Sequence, residues 1–485
     1  MSARFAKITL FVCFAVLALP ISAFAQGGPP GGNGGGNNGG GNNGGGNNNG
    51  GNVAGNTFFS TGVVGGVRID TRGVLTSETT KLDPTLRARI RAGLKASNSR
   101  IGDSAELRII SLAGLEDAIV SAKNAGTPLP NEVMYMAGLQ RIEFVILSED
   151  NNDVYLGGPC EGLKVNDQGV VVGATSGNPA IHLEDFLVAM RSVENARTGQ
   201  GVSVSIDPTE QGIKQLQQFY RRLKQNRTPF RPEMQPLVEK AMGQQVIKLT
   251  GVPADSRFSQ VLVAADYKMK RLGMGLEAAP IENFPSFMEM AQKAQARNMT
   301  AAPRFWMECN YQPIARSEDG NVWQLRGSGV KTLTEESKFD ANGKQSGSRK
   351  QNQFAVKWAE MMTDRFDELS QAEPAFRELR NMMDLSVVAA IITRERLAEK
   401  VGLETPAILG LTNAAMTPSH AVAKVIPAQC SFVRIAQSWL VSASGGVQLD
   451  SWGVAANSEI VPSVGAVANQ AIKSGDTWWW NASDN

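Results

Sequence analysis

Val202-Ser203-Val204-Ser205-Ile206-Asp207-Pro208-Thr209-Glu210 decides the fold class, because a strand runs directly into a helix there. The alternation of apolar and polar residues predicts a β-strand. Asp207 then has the position of a helix N-cap, Pro208 that of the first helical residue, and Glu210 can complete a capping box. The predicted helix continues along one apolar face, formed by Ile213, Leu216, Tyr220 and Leu223.

Further helices are predicted C-terminal to this stretch. One apolar face at helical spacing is formed by Phe258, Val261, Leu262, Ala265, Met269 and Leu272, and another by Phe354, Trp358, Met361, Met362, Phe366 and Leu369. The stretch from Leu385 to Ile392 is apolar on all sides, which is typical of a buried helix.

A hairpin pattern of nine residues lies between the helices and occurs three times, at 66–74, 162–170 and 446–454. Each copy has an alternating strand, an Asp or Asn suited to a turn, a Gly and a returning strand. A less similar hairpin is predicted at 321–331. Hairpins interleaved with helices favour an α+β fold, with mixed helices and antiparallel hairpins in two or more packed subdomains, over a doubly wound parallel sheet.

The beginning of the chain has the pattern of an export signal. Arg4 and Lys7 supply positive charge, 8–19 is a short apolar run, and Ala23-Phe24-Ala25 offers a cleavage site after Ala25. Only Gly, Asn and Pro occur from 27 to 52, so this Gly-rich, low-complexity tract is predicted to be a disordered tether. We therefore expect an exported protein, located in the periplasm, outside the cell or at the cell surface.

The composition divides the chain into five predicted parts. They are a signal peptide (1–25), a disordered linker (26–56), an N-terminal α+β domain (57–300), a C-terminal hairpin plus helical domain (301–455) and a tail (456–485). The main boundary is placed between Pro280 and Pro303, with Thr228 to Pro236 as the alternative. The tail contains Trp478-Trp479-Trp480, which either docks on a partner or packs on a neighbouring surface.

Charge and residue usage argue against several classes of function. The chain has 48 basic and 46 acidic residues, and loss of Arg4 and Lys7 with the leader makes the mature chain formally neutral. A neutral chain without a basic stripe argues against nucleic-acid binding, and no later apolar run is long enough to span a membrane. With two histidines, no metal or cofactor is predicted. Buried free thiols are expected at Cys160, Cys309 and Cys430, with one disulfide as the alternative.

The most concentrated polar cluster begins with Asp266, Tyr267 and Lys268, which we predict as candidate ligand-binding residues. On a helix, Asp266 and Lys270 would form an ordinary surface pair that contributes about 0.3–0.5 kcal/mol. Glu308 lies on the predicted aromatic-rich strand Phe305-Trp306-Met307 and is a candidate carboxylate for a ligand or substrate. The sequence assigns no catalytic residue.

Five motifs in this order resemble one uncharacterised family of exported planctomycete-type bacterial proteins. The motifs are Leu156-Gly157-Gly158-Pro159, 182–191 (HLEDFLVAMR), 205–209 (SIDPT), 261–270 (VLVAADYKMK) and 378–385 (ELRNMMDL). The likeness extends from about Val63 to Glu399. It implies export and the extent of the folded part, and it implies no activity, because the family is a domain of unknown function.

Two hypotheses of function remain open. The preferred one is a non-enzymatic protein that binds or scaffolds a partner protein or an envelope component, because a tethered, charge-balanced chain suits that role. The alternative is a hydrolase that cleaves envelope polymer or peptide with two carboxylates. A deep cleft with two carboxylates and aromatic walls would favour the hydrolase. The partner and the oligomeric state are left open by the sequence.

Overall fold

A computed structural model of the chain describes residues 63–64, 67–69, 74–76, 84–85, 88, 92, 104–167, 170–198, 201–293, 302–339, 345–348, 352–411, 419–435, 438–441, 445–470 and 480. The predicted leader with its cleavage site at Ala25, the Gly/Asn linker, and Trp478 and Trp479 of the tail lie outside the described residues.

The larger sheet has seven strands in the described part of the chain. Their spatial order is β15 (Gln345–Ser348), β14 (Gly329–Phe339), β11 (Ala302–Asn310), β19 (Gly445–Leu449), β9 (Val202–Pro208), β10 (Gln244–Thr250) and β16 (Val425–Pro427). All neighbouring strands are antiparallel except β11 and β19. The sheet takes strands from both sides of residue 300, and the division into domains stays a prediction.

A second sheet has six strands among the same described residues. Their order is β20 (Ser458–Ile460), β12 (Ile314–Arg316), β13 (Val322–Gln324), β5 (Phe144–Ser148), β6 (Asp153–Cys160) and β4 (Ala105–Ser111). Short antiparallel ladders are formed by β1 (Val63–Val64), β2 (Val67–Ile69) and β3 (Leu75–Thr76), by β7 (Leu163–Val165) and β8 (Val171–Gly173), and by β17 (Phe432–Ile435) and β18 (Ser438–Val441).

The helices complete an α+β fold, as predicted. They are α1 (Leu112–Asn124), α2 (Asn131–Met134), α3 (Leu183–Arg197), α4 (Glu210–Gln225), α5 (Gln235–Met242), α6 (Arg257–Gly273), α7 (Phe287–Lys293), α8 (Gln353–Asp364), α9 (Phe366–Ala372), α10 (Pro374–Arg394), α11 (Leu397–Lys400) and α12 (Ser451–Ala456). Short 3₁₀ turns occur at Met136–Gly138, Pro232–Met234 and Pro462–Gln470.

Two buried helices, α6 and α10, form the centre of the fold. Every residue of α6 except Arg271 is buried, and so is every residue of α10 from Glu378 to Ile392. Helix α10 packs on α3, α6 and α12, while α6 also packs on β9 and β19 of the larger sheet. The predicted buried helix at Leu385 to Ile392 is therefore confirmed, and one apolar core joins the sheets to both helices.

The strand-to-helix boundary at β9 differs from the prediction. Strand β9 continues to Pro208, and Thr209 is the N-cap of α4, because its Oγ1 accepts a hydrogen bond of 2.9 Å from the Gly212 amide. A residue before proline favours extended backbone, which keeps Asp207 in the strand. The Asp207 side chain is consequently buried in the larger sheet.

Two of the predicted hairpins are confirmed and two are wrong. The copies at 66–74 and 162–170 form the β2–β3 and β7–β8 pairs. After β19, Asp450 accepts a hydrogen bond from the Gly453 amide and begins α12 instead of a returning strand. In the hairpin predicted at 321–331, β13 and β14 lie in different sheets, because the chain changes sheets through Gly327 and Gly329, which have φ of 121° and 83°.

Cys309 and Cys430 are buried free thiols, as predicted, and Cys160 is buried. Trp480 is buried and lies 4.5 Å from the Arg108 guanidinium, in a cation–π contact. Among the described residues, no helix is both long enough and apolar enough to span a bilayer.

Candidate functional site

The candidate functional site begins with Glu184, which is contacted by both histidines of the chain. His420 Nε2 lies 2.7 Å from Glu184 Oε2, and His182 Nδ1 lies 3.7 Å from Glu184 Oε1. His182 is the N-cap residue of α3 and Glu184 lies in its first turn, whereas His420 comes from the distant segment before β16. His182 and Glu184 are neighbours in the sequence, and the fold brings His420 to them.

Arg257, the first residue of α6, joins this cluster to two more helices. Its guanidinium donates to Asp185 of α3 and, over 2.6 Å, to Glu378 of α10. The side chains of all three residues are at most 7% exposed. A buried cation needs such carboxylates, because an ion removed from water without a partner is strongly unfavourable. Arg257 therefore fixes three helices at one point.

The two adjacent carboxylates of this cluster have pKa values displaced in opposite directions. Burial alone would raise the pKa of Glu184, but the interactions of its carboxylate with the His182 and His420 rings outweigh burial and lower that pKa to about 2. Burial raises the pKa of Asp185 to about 6, although Arg257 opposes the change. Burial and the charge of Arg257 lower the pKa of His182, so its ring is neutral at pH 7.

Tyr135 covers the histidine side of the cluster, next to a strained turn. Its ring packs edge-on against His182 with centroids 5.1 Å apart, and burial raises its pKa to about 12. The next residues, Met136 and Ala137, are fully buried with φ of 48° and 52°, which are unusual values for residues other than glycine. Such strain is maintained only where the surrounding structure fixes it, and it concentrates at functional sites.

A second buried ionic cluster lies further along α6. Lys270 Nζ donates to Asp266 Oδ2 over 2.8 Å and to the Ile206 carbonyl over 3.0 Å. Asp207 accepts from Ser205 Oγ at 3.0 Å and lies 3.2 Å from Lys248 Nζ. The predicted surface pair of Asp266 and Lys270 is therefore wrong, because α6 packs on β9 and both side chains are buried.

The predicted ligand-binding residues contact different partners. Tyr267 is buried, and its hydroxyl accepts a hydrogen bond of 3.1 Å from Gln429. Lys268 Nζ lies 2.7 Å from Glu277 and 3.3 Å from Glu373.

The structure does not bring Asp266, Tyr267 and Lys268 to one site. Glu308 lies on β11, with its carboxylate 32% exposed and 3.9 Å from Lys331 Nζ. A ligand-binding role for these four residues stays a prediction.

An apolar groove lies beside the histidine cluster. It has a volume of about 320 Å³ and is lined by Val246, Ile247 and Leu249 of β10, by Ala254, Ser259 and Val263 at and near the start of α6, and by Val422, Ala423 and Lys424. The wall at 422–424 is held in place by the residues before it. The His420 amide donates to the Asp255 carbonyl over 2.7 Å, and Gln260 Nε2 donates to the Ala421 carbonyl over 2.9 Å.

Sequence reasoning missed the histidine–arginine cluster, because its members come from four separate stretches and each reads as a polar surface residue. The signal that could have found it is the pair of histidines in a chain that has no others. Within the described residues, no group of three or more His, Cys, Asp or Glu side chains is arranged to hold a metal ion.

Residues 204–287 match the model of a family described as a protein of unknown function, DUF1598. The matched segment runs from within β9 to the start of α7 and includes Asp207, Arg257, Asp266 and Lys270. No curated protein and no solved structure matches the chain. The match is shorter than the resemblance from Val63 to Glu399, and export and a planctomycete-type origin stay predictions. The chain therefore contains a DUF1598 domain of unknown function at residues 204–287.

Proposed function

We propose that the protein is exported and binds a partner in the periplasm or at the cell surface, without catalysing a reaction on it. The ionic residues of the core support this role, because Arg257, Lys270 and Arg141 are each paired with buried carboxylates inside the fold. Side chains committed to such pairs stabilise the structure and are not free to act on a substrate.

The observation that carries the proposal is the apolar groove between β10, α6 and 422–424. Its volume of about 320 Å³ is within the range of small-ligand sites. Its walls are apolar except for Ser259 and Lys424, and Lys424 is exposed. This lining suits an apolar peptide end whose terminal carboxylate pairs with the Lys424 ammonium group.

Binding of short apolar peptides tests the groove directly. A fluorescent Leu-Ile-Val peptide with a free carboxylate should bind saturably, and its C-terminal amide should bind about twofold to fivefold more weakly, the value of one exposed ion pair. Ala423→Trp should abolish binding by filling the groove, whereas Lys214→Trp, on the exposed face of α4, should not. Absence of saturable binding, or equal binding to the Ala423→Trp variant, would contradict the proposal.

The tether and the export signal are tested separately. A Gly/Asn tract of about thirty residues has a root-mean-square reach of about 30 Å, which suits a domain held near another body. Deletion of 27–52 should impair partner recovery by crosslinking in cells and leave the melting temperature unchanged. Export predicts a mature chain that begins at Gln26, which N-terminal sequencing of the periplasmic or extracellular fraction would detect.

One observation favours the alternative, a carboxylate-based hydrolase. Glu184 and Asp185 have pKa values of about 2 and about 6, and such a separation assigns base and acid roles in hydrolases. Their side chains are only 15% and 1% exposed, which limits contact with a polymer. Cleavage of envelope polymer by the wild-type chain that is lost in Glu184→Gln would replace the binding proposal with this one.

A further inference from the structure

The helical insertion between β9 and β10 carries a surface of exposed basic residues. Residues 209–243 leave the larger sheet after β9, form α4 and α5, and return as β10, which pairs directly with β9. From 211 to 232 the insertion contains six basic residues and no acidic residue. The side chains of all six are exposed, and together they are called the basic surface: Lys214, Arg221, Arg222, Lys224, Arg227 and Arg231.

The basic surface faces away from a small core that belongs to the insertion. This core is formed by Ile213, Leu216, Phe230, Val238, Met242, Ala428 and Cys430. Leu223 packs against it as well. With about 3.6 residues per turn, Lys214 and Arg221 lie on the side of α4 opposite Leu216 and Leu223. The apolar side of α4 is therefore used for folding, and its basic side is left to the solvent.

No carboxylate of the described residues forms an ion pair with the basic surface. Elsewhere an exposed arginine is paired on its own helix, as Arg197 is with Glu194. The stretch 211–232 offers no such partner, and the segment 419–435, which packs against the insertion, contains no acidic residue either. The helix dipole favours the two cations in the last turn of α4, but it does not account for the other four.

The positive charge of the protein is concentrated in this insertion. Residues 209–243 contain seven basic and three acidic residues, a formal net charge of +4. The whole chain has a formal net charge of +2, which leaves −2 for the rest of it. Such an asymmetry orients a protein in front of a flat anionic surface, because the insertion is attracted and the remainder is repelled.

The insertion also exposes an apolar side chain, Leu237 of α5, which is 53% exposed. Its aromatic side chains are not available for stacking on bases, because Phe219 packs on Tyr220 and Tyr220 packs on the buried Phe230. A lipid bilayer offers both anionic head groups and an apolar interior, whereas proteins that bind single-stranded nucleic acid combine cations with exposed aromatic rings. Exposed cations and an exposed leucine on one insertion therefore fit a bilayer better than a nucleic acid.

We propose that the basic surface docks the protein on an anionic lipid bilayer. The phosphate oxygens of the lipid head groups accept hydrogen bonds from the guanidinium and ammonium groups, and each cation near the membrane strengthens binding about fivefold. The contact is peripheral, because the apolar side of α4 stays in its own core. The basic surface shares no residue with the groove of the proposed function, so either can fail without the other.

Flotation with lipid vesicles tests this docking directly. A chain that begins at Gln26 is used in every arm, so that the apolar run at 8–19 does not insert into the vesicles. The protein should float with phosphatidylcholine vesicles that contain about one third phosphatidylglycerol, and it should stay unbound with phosphatidylcholine alone. Binding should weaken as sodium chloride rises from about 0.1 M to about 0.5 M, because salt screens exposed charges.

Two variants measure the contributions of charge and of apolar contact. The triple variant Lys214→Gln/Arg221→Gln/Lys224→Gln should bind the anionic vesicles about a hundredfold more weakly than the wild type. It should keep the wild-type melting temperature, because the three side chains are exposed. Leu237→Ser should weaken vesicle binding about threefold or more, because it removes the apolar contact with the lipid.

The matched control removes three exposed cations from other parts of the surface, as Arg197→Gln/Arg396→Gln/Lys400→Gln. It changes the net charge by the same amount and should bind within about threefold of the wild type. Absence of flotation with the anionic vesicles, or equal losses in the two triple variants, would overturn the proposal. Vesicle binding that is unchanged in Leu237→Ser, together with binding to duplex DNA that is at least as tight, would also overturn it and assign the surface to a polyanion.

Discussion

Arg257 pairs with a carboxylate on helix α10 and Arg377 is a residue of that helix, but the two arginines differ in burial and in their ion pairs. Arg257 reaches α10 at Glu378 and pairs there and with Asp185, so that one cation connects α3, α6 and α10. Arg377, the residue before Glu378, has no such partner among the described residues. The contrast teaches that depth decides the role of a charge in this fold. A deeply buried charge such as Arg257 is matched by carboxylates that hold it in place, whereas the half-buried Arg377 keeps part of its guanidinium in contact with solvent.

The largest effect should come from breaking the matched cluster. Arg257→Met removes the cation and leaves Asp185 and Glu378 buried without it, which should lower the free energy of unfolding by about 3–5 kcal/mol. Urea unfolding followed by circular dichroism measures the change. Arg257→Lys is the control, since it keeps the positive charge but loses the planar guanidinium donors, and it should lose less stability than Arg257→Met. A loss of less than about 1 kcal/mol in Arg257→Met would show that Arg257 does not stabilise the fold in this way.

The next effect concerns Lys270, which is matched to Asp266. Lys270→Met should lower the free energy of unfolding by about 3 kcal/mol at pH 7. Burial raises the pKa of Asp266, with Lys270 opposing that rise, so the variant's Asp266 takes up a proton as the pH falls. The deficit relative to wild type should therefore shrink between pH 7 and pH 5, as thermal unfolding at both values would show. An equal deficit at both pH values would contradict this account.

A smaller effect is expected from acid, which should weaken the histidine cluster. The folded pKa of Glu184 is about 2, below its usual 4.5, so its stabilising contribution is complete above pH 4.5 and is lost as the pH falls towards 2. That contribution is about 1–3 kcal/mol. Comparison of Glu184→Gln with wild type isolates it: the variant should be less stable at pH 7 and equally stable near pH 2.

The neighbouring groups titrate in different windows. Because the pKa of His182 is lowered, the unfolded chain takes up a proton below pH 6.5 that the folded chain does not, and stability falls there. The pKa of Asp185 is raised from 3.8 to about 6, so below pH 6 the folded chain takes up a proton there that the unfolded chain does not. Asp185 therefore increases stability as the pH falls from 6 to 3.8. A deficit of Glu184→Gln that persists unchanged at pH 2 would show that the contacts of the Glu184 carboxylate with the two histidines do not stabilise the fold.

The smallest effect is expected at Glu308, where the charge is neither buried nor closely paired. Its carboxylate is 3.9 Å from Lys331 Nζ and about one third exposed. Glu308→Gln should change the free energy of unfolding by less than about 0.5 kcal/mol, as for most exposed ion pairs. A much larger loss of stability would show that Glu308 contributes to the fold as the buried, paired charges do.

Local patterns predicted the parts of the fold that depend on local physics. The strand at Val202 and the helix after it, the apolar face of α6 and the buried helix at Leu385 to Ile392 all follow from periodicity. The predicted N-cap of α4 was wrong, because Thr209 caps the helix and Asp207 remains in strand β9. The sequence also did not predict which strands pair, since β13 and β14 enter different sheets at a glycine-rich turn.

The candidate site could not be predicted, for a physical reason. His182, Arg257, Glu378 and His420 have no fixed spacing along the chain. The packing of α3, α6 and α10 brings the first three together, and the segment before β16 adds His420. A polar residue on an amphipathic helix is ordinarily exposed, which made Asp266 and Lys270 read as a surface pair. Helix α6 is covered on all sides, so the ordinary expectation failed there.

The comparison between the two arginines is tested most directly by one matched measurement, the free energy of unfolding of Arg257→Met and Arg377→Met in urea at pH 7. The account predicts a loss of about 3–5 kcal/mol for Arg257→Met and no loss, or a gain, for Arg377→Met. Equal losses in the two variants would contradict it, because the half-buried Arg377 would then stabilise the fold as much as the paired Arg257 does.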